Sequence, residues 1–473
     1  MRTKKRVEIK NFNNFNSNSN EVYAEKFYNY LPTNKLNNSV GIKSASFPYS
    51  ATDPEEYELN LQSKNVQSVE GIAYFKQYFA HNGVTTHRLL VYDGSKVYIN
   101  QMLDDSADIF WLYDLTFNTA PITLAYKKDD SDAIILASKD EMKIWKTGYS
   151  PYTISDVPII TSMCMNEGVL FCTIVDPAFK IWYATNLDAE NVGNISKNSG
   201  YISLEDDLGY ARKIITFNES VYVFRDYGIT KIDSYQGNFS VNQVYLSNTK
   251  IYTDTITVCG NMVLFLTKEG IHTFNGVKVS KLSIDLSELN IICENAVASS
   301  IQNKYYLALR INFNDENSIL CENSEFINNV LVVVDVTNNS YQIVRGVDIK
   351  NMLPVKTEEF EKMLVIFNSV HKDKIGEIVN ASVCMEDALP KLWQSGELVR
   401  GLNNKLFTKL YAQADEGVKF KLIYDNKELS FTTYQKGLNQ FMFKIPCKQI
   451  KLEISSSYAS ASVDDVYLDY YEY

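Results

Sequence analysis

At 473 residues the chain is too long for one hydrophobic core, so two or three domains, or one large repeat-built domain with an appendage, are expected. Apolar residues make up 45%, enough to fold, while a net charge of −11 argues against a surface that grips nucleic acid, which needs a basic patch to displace counterions. Seven cysteines, odd in number and widely spaced without a Cys-x-x-Cys, argue against a disulfide framework or a structural zinc site.

In chain order, residues 1–55 come first. They open with the short basic cluster Arg2-Thr3-Lys4-Lys5-Arg6, the densest in the chain. The low-complexity run Asn11-Phe12-Asn13-Asn14-Phe15-Asn16 continues to Asn20, and the aromatic run Phe27-Tyr28-Asn29-Tyr30-Leu31-Pro32 follows. Pro32, Pro48 and Pro54 disfavour helix, so an extended, wrapping N-terminal arm is expected. There is no signal-peptide pattern and no apolar run approaching ~18 residues, so secretion and membrane spanning are not expected, and synthesis in a reducing cytoplasm is.

Residues 56–385 carry a rhythm of short apolar runs separated by polar turns. Leu89-Leu90-Val91-Tyr92, Asp93-Gly94 and Lys96-Val97-Tyr98-Ile99 form one hairpin signal, because Asp and Gly tolerate the positive φ of a tight turn. Strands are expected at 72–79, 88–92, 96–101, 122–126, 133–137 and 142–145. Others follow at 159–164, 169–174, 179–184, 212–217, 220–225, 228–232, 255–259, 262–267 and 270–274. The last are 305–311, 330–334, 341–344, 363–367 and 374–378. Triplets recur: Ile214–Phe217, Val221–Phe224 and Thr230–Ile232, then Ile256–Cys259, Val263–Leu266 and His272–Phe274. A buried middle strand between flanking strands, with glycine leading the third, suits a propeller blade. An all-β propeller of about 5–7 blades is expected; a large stack of β-sandwiches fits the same rhythm.

Residues 386–473 change pattern. Val418, Phe420 and Leu422 alternate with lysines, as do Phe441, Phe443 and Ile445 with Met442 and Lys444, and Ile450, Leu452 and Ile454 with Lys451 and Glu453. Period-2 strands with one wet face predict a C-terminal β-sandwich. Its last residues, Tyr467-Leu468-Asp469-Tyr470-Tyr471-Glu472-Tyr473, are aromatic enough to be tied into a sheet or an interface.

Chemistry is sparse. There is no nucleophile elbow, Walker loop, His-Glu-x-x-His or dinucleotide fingerprint, so no cofactor is expected. Of the four histidines, His81 and His87 flank the turn Asn82-Gly83-Val84 and can approach across a hairpin. No third histidine or carboxylate lies at a recognisable spacing, so they read as solvated turn residues and no metal site is expected. The acidic clusters Asp104-Asp105, Asp129-Asp130-Ser131-Asp132, Glu205-Asp206-Asp207 and Asp464-Asp465 sit in turn-like contexts and read as solvated turns more readily than as catalytic pairs. The scattered Trp111, Trp145, Trp182 and Trp393 read as packing residues. No catalytic residue is expected, and the chain is not expected to be an enzyme.

Three segments carry a resemblance. Tyr28-Asn29-Tyr30-Leu31-Pro32, the stretch from Lys180-Ile181-Trp182-Tyr183 to Asp188-Ala189-Glu190-Asn191, and Arg212 to Tyr235 resemble the tail nozzle or tail accessory β-propeller proteins of short-tailed bacteriophages, which form head-to-tail connectors. The second departs from the family where Val192-Gly193 follows in place of an aromatic residue. The resemblance implies a virion structural protein, made in the host bacterial cytoplasm. It implies a homo-oligomeric ring of six or twelve subunits that lines the DNA exit channel between adaptor or portal-side and distal tail proteins. DNA would pass without specific binding, and an acidic wall suits such passage, though it suits simple solubility equally. Subunit or partner contacts are expected at Phe27, Tyr28, Tyr30 and Leu31 of the arm and Tyr470, Tyr471 and Tyr473 of the sandwich. A carbohydrate- or receptor-binding propeller, and a propeller glycosidase, remain alternatives.

Overall fold

A computed structural model describes residues 3–13, 22–48, 55–59, 61–79, 83–102, 111–128, 131–139, 141–147, 150–185, 187, 198–204, 206–235, 238–282, 284, 290–313, 326–338, 340–399 and 403–473. Apart from one 3₁₀ turn, Leu61–Lys64, the described regular structure is β. No helix among these residues is long and apolar enough to cross a membrane.

Seven antiparallel sheets follow one another along the chain. Blade one holds Gly71–Phe79, Val84–Asp93, Lys96–Met102 and Trp111–Thr116; blade two Ile122–Lys128, Ser131–Ser138, Glu141–Lys146 and Tyr152–Ser155. Blade three holds Ile160–Asn166, Val169–Ile174, Lys180–Ala184 and Ser199–Ser203; blade four Ala211–Phe217, Ser220–Arg225, Gly228–Tyr235 and Asn238–Leu246. Blade five holds Ile251–Cys259, Met262–Thr267, Gly270–Phe274 and Val279–Lys281; blade six Ile291–Ile301, Lys304–Ile311, Val330–Asp335 and Ser340–Arg345. Blade seven begins with Ile349–Lys356, Glu361–Phe367 and Ile375–Val379. Each blade packs on the next, and Ile349–Lys356 of blade seven returns to Gly71–Phe79 of blade one, so the ring closes as a seven-bladed propeller.

The second strands explain why the rhythm was visible. Ile134, Ile135 and Leu136, or Leu307, Ala308 and Leu309, are fully buried because neighbouring blades cover both faces. The Leu89–Ile99 hairpin forms, with its turn one residue later than the Asp-Gly pair suggests. Asp93 pairs with Lys96, and the positive φ of 57° falls on Gly94. Between blades one and two, Phe75, Leu90 and Ile99 pack on Ile134, Leu136 and Trp145. The layer between blades five and six continues into the C-terminal domain, where Leu264, Leu307 and Val332 share one apolar core with Phe407, Phe420 and Leu468.

The ring is closed by residues far from blade seven in sequence. Gly41–Ser44 pairs antiparallel with Ile375–Val379, placing Ile42 opposite Ile378 and Gly41 opposite Val379. Other N-terminal strands join the sandwich. Thr3–Ile9 lies along Val463–Glu472, and Ala24–Tyr28 along Lys391–Ser395. One sandwich sheet runs Tyr30–Pro32, Leu36–Asn38, Val463–Glu472, Lys405–Ala414, Gly437–Cys447; the other runs Ala24–Tyr28, Lys391–Ser395, Lys451–Ser456, Lys419–Tyr424, Lys427–Thr432. Over its described residues the N-terminal arm is extended and wraps onto the sandwich and blade seven as paired strands. Ile9, Phe12, Phe27, Tyr30, Leu36, Ile42 and Phe47 are buried, too many apolar anchors for a solvated segment. The run 14–21 lies outside the described residues.

One ion cluster holds the first strand. The Asp469 carboxylate is fully buried, 2.6 Å from Arg6 Nε and 3.0 Å from Lys4 Nζ. Burial alone would raise its pKa, but hydrogen bonds from Arg6 and Lys4 outweigh that and hold it below the usual carboxylate value. The native state therefore binds this proton more weakly than the unfolded chain does. The resulting stability is present above about pH 4 and is lost as pH falls through the lowered native pKa. The protection factors of the Thr3–Ile9 amides, taken against intrinsic exchange at each pH, are expected to fall on acidification toward pH 3. In Asp469→Asn the same segment should exchange fast already at pH 7, with a flatter pH response.

A candidate site at the mouth of the propeller channel

The inner strands of the seven blades surround a channel. One cavity of about 690 Å³ is lined by Ile122–Lys127, Thr161–Met165, Lys213–Thr216 and Val258. Desolvation pushes the Lys213 ammonium toward its neutral form, and Asp254 offsets this in part. A second cavity of about 630 Å³ shares Ala125–Lys127 and opens between Tyr74, Lys76, Asp132, Lys356 and Glu358. It lies where blades seven, one and two meet.

The chemistry gathers there around His87. This residue sits on the second strand of blade one, opposite Lys76 in the ladder, and is 3% exposed. Its ring stacks on Tyr74 with centroids 6.0 Å apart and planes 7° apart. Tyr74 Oη is 2.8 Å from His87 Nδ1 and donates to the Lys356 carbonyl at 3.0 Å. On the other side of the ring, His87 Nε2 is 3.0 Å from Glu358 Oε2. Glu359 belongs to the same cluster: one ligand atom from each of His87, Glu358 and Glu359 lies within 4.8 Å of the others. Lys76 Nζ stands 3.6 Å from the second Glu358 oxygen.

Burial lowers the pKa of His87, and the two glutamates only partly offset it. Desolvation raises that of Glu358, but its own backbone hydrogen bond, His87 and Lys76 prevail and leave it lowered. Burial raises that of Asp132. The result is an oriented imidazole, disfavoured in its charged form by burial, against the Glu358 carboxylate. His87 was noticed in the sequence as one of a histidine pair. Its real neighbours come from the turn between the first two strands of blade seven, and no spacing rule could connect them; His81 lies outside the described residues.

The other histidines and the described acids have structural surroundings. His272 is buried, with Nε2 3.0 Å from Thr267 Oγ1 and its ring stacked on Phe265. His371 occupies a turn at φ 65° beside Phe367. Asp206 pairs with the buried Arg225, which also donates to the Gly209 carbonyl at 2.9 Å, and Asp464 faces Lys35 at 3.6 Å. Asp104, Asp105, Asp129, Asp130 and Glu205 lie outside the described residues. Trp145, Trp182 and Trp393 are buried packing residues. Cys164, Cys172, Cys259, Cys293, Cys384 and Cys447 are free thiols.

The residues expected at a partner interface are mostly turned inward. Phe27 packs on Tyr341 at 5.6 Å, Tyr28 lies under the Arg345 guanidinium at 5.1 Å, and Tyr30 is fully buried with the Lys391 ammonium 5.4 Å from its ring. Tyr470 packs on Phe407 at 5.5 Å. Leu31 and Tyr471 are half-buried, and Tyr473 is exposed. Exposed apolar side chains occur on the blades, as at Val277 and Leu246, and also at the sandwich edge. Leu438 and Met442 on Gly437–Cys447, with Tyr434 before them, are 60%, 70% and 66% exposed.

No family model and no curated protein matches the chain. Among solved structures, Kluyveromyces lactis Hsv2 is similar at 11% identity, over 66% of this chain and 93% of that one, with a TM-score of 0.38. The N-terminal domain of Nup159 is similar at 7% identity, over 72% of this chain and 95% of that one, with a TM-score of 0.40. The dihydro-heme d1 dehydrogenase NirN is similar at 10% identity, over 84% and 82%, with a TM-score of 0.40. At identities this low the comparisons bear on no activity.

Proposed function

We propose that this chain is a non-enzymatic structural subunit of a bacteriophage tail, of the nozzle or neck-ring kind. In this reading it assembles into a homo-oligomeric ring around the DNA exit path and docks adaptor-side and distal tail proteins. The observation that carries the reading is the rim of the sandwich. Gly437–Cys447 is the last strand of its sheet, so one side of its backbone lacks a ladder partner among the described residues. Leu438, Met442 and Tyr434 project from that region into solvent. Beneath them Phe431 stacks on Phe441 at 4.9 Å and on Phe443 at 5.5 Å. An open strand edge beside exposed apolar side chains favours association, and a repeated head-to-tail contact closes into a ring. The rigid block behind the rim supports this role, because propeller and sandwich share one core and the N-terminal segment runs through both.

Purified protein is expected to form rings of six or twelve in negative-stain micrographs, with a matching mass by light scattering. The double variant Leu438→Asp/Met442→Asp should keep the melting temperature of the subunit, since both side chains are already wet, and should abolish the rings. A protein that stays monomeric at millimolar concentration and is missing from tail particles overturns the proposal. Glycan binding by such a monomer would favour the carbohydrate-binding alternative.

A further inference from the structure

His87 is held in a way that leaves one of its nitrogens needing a partner. Tyr74 has a single hydroxyl proton. The Lys356 carbonyl 3.0 Å away can only accept, so that proton is drawn to it. Tyr74 Oη is then an acceptor toward His87 Nδ1 at 2.8 Å, which places the imidazole proton on Nδ1. Nε2 therefore presents its lone pair to Glu358 Oε2 at 3.0 Å, with the Glu359 carboxylate in the same cluster. A lone pair facing two anions at such range is repulsive unless a cation lies among them.

We propose that His87 Nε2, Glu358 and Glu359 bind a zinc-type divalent cation at the seam where blade seven meets blade one. One imidazole and two carboxylates suit zinc, whereas calcium takes oxygen donors and seldom imidazole. The Tyr74–His87 hydrogen bond is the outer contact that fixes tautomer and ring orientation in metal-binding histidines. His87 is locked by packing. Glu358 and Glu359 are exposed and sit on a turn, free to draw in to the ~2.0–2.2 Å bonds that zinc requires. Lys76 competes for Glu358, but its side chain is half exposed and can swing away. The remaining coordination positions face the cavity bordered by Tyr126, Lys127 and Asp132. A bound cation would tie the first blade to the last at the channel mouth, beside the Tyr74–Lys356 hydrogen bond that already joins them, whereas the closing strand Gly41–Ser44 pairs at the third strand of blade seven, away from the axis.

The test uses the full chain, stripped with chelator and titrated with zinc chloride by calorimetry and by competition with a chromogenic zinc chelator. One zinc per chain is expected, with a rise in melting temperature. Glu359→Gln, an exposed and structurally mild change, should weaken binding about tenfold or more, His87→Ala should abolish it, and Tyr74→Phe should weaken it by about tenfold. A wild-type protein that gains neither zinc nor stability overturns the proposal. So does zinc retained equally by His87→Ala and Glu359→Gln, which would place it elsewhere, or an NMR spectrum of the stripped protein with the proton on Nε2, which would make the pair an ordinary His–Glu hydrogen bond.

Discussion

Gly41→Ala is expected to open the propeller. A Cβ at this position would lie 2.2 Å from the carbonyl oxygens of Ala381 and Val383 and 2.6 Å from the Val383 nitrogen. All three are backbone atoms, so no side-chain rotation relieves the clash. The glycine is required for space and not for an unusual φ. Ile42, its neighbour, bonds Ile375–Val379 on one side and takes Cys384 as a parallel bridge on the other, so a displaced residue 41 pulls the closing strand out of both. Overpacking against rigid backbone costs about 3 kcal/mol or more at such a site. Because residues 22–48 run through both sandwich and blade seven, the two should melt together, with the whole denaturation curve displaced to lower urea. A variant whose midpoint matches wild type would mean that the ring does not depend on this strand.

Asn29→Ala should be about as damaging, for a different reason. Asn29 is fully buried at φ 57°, between the strand that joins the sandwich and the one that follows it. Its Nδ2 donates to the Arg345 carbonyl at 3.1 Å and the Pro390 carbonyl at 2.7 Å, and its Oδ1 accepts from the Arg345 amide at 2.7 Å. One side chain thus links the N-terminal segment, the outer strand of blade six and the entry to the sandwich. Alanine leaves a buried amide and two carbonyls without these partners, at about 1–3 kcal/mol for each buried group left unsatisfied. It also adopts the left-handed conformation less readily than Asn, by about 1 kcal/mol. A total of about 4 kcal/mol or more is expected. Asn29→Gly should recover only the backbone part, so thermal melts of the two variants separate the terms. Equal stability of Asn29→Ala and wild type would remove this residue as a tie between the domains.

Both predictions concern a segment whose role was invisible along the chain. The strands legible in sequence were those with an unambiguous burial pattern: second strands covered on both faces, such as Lys304–Ile311, and half-wet strands of the sandwich, such as Lys451–Ser456. Most outermost strands carry no such signal, Ser340–Arg345 being an exception. Asn238–Leu246 is mostly exposed and rich in Asn, Ser and Gln, so it has no apolar period to read. The inner strand Ile291–Ile301 was missed as well, because it skips in register between Ile292 and Val297 and its apolar residues fall out of step. At the channel mouth, His87 stood out by rarity, while Glu358 and Glu359 looked like any polar turn.

Composition and periodicity alone determined the all-β class, the repeated blade, and the separate character of the last eighty or so residues, because burial on one or both faces of a strand writes itself into consecutive residues. Closing the circle, recruiting the N-terminal segment into two sheets, and setting a histidine of the first blade against glutamates of the last were decided only in three dimensions. These depend on contacts between opposite ends of the chain, and no local pattern of side chains encodes which distant strand edge will be left open to receive them.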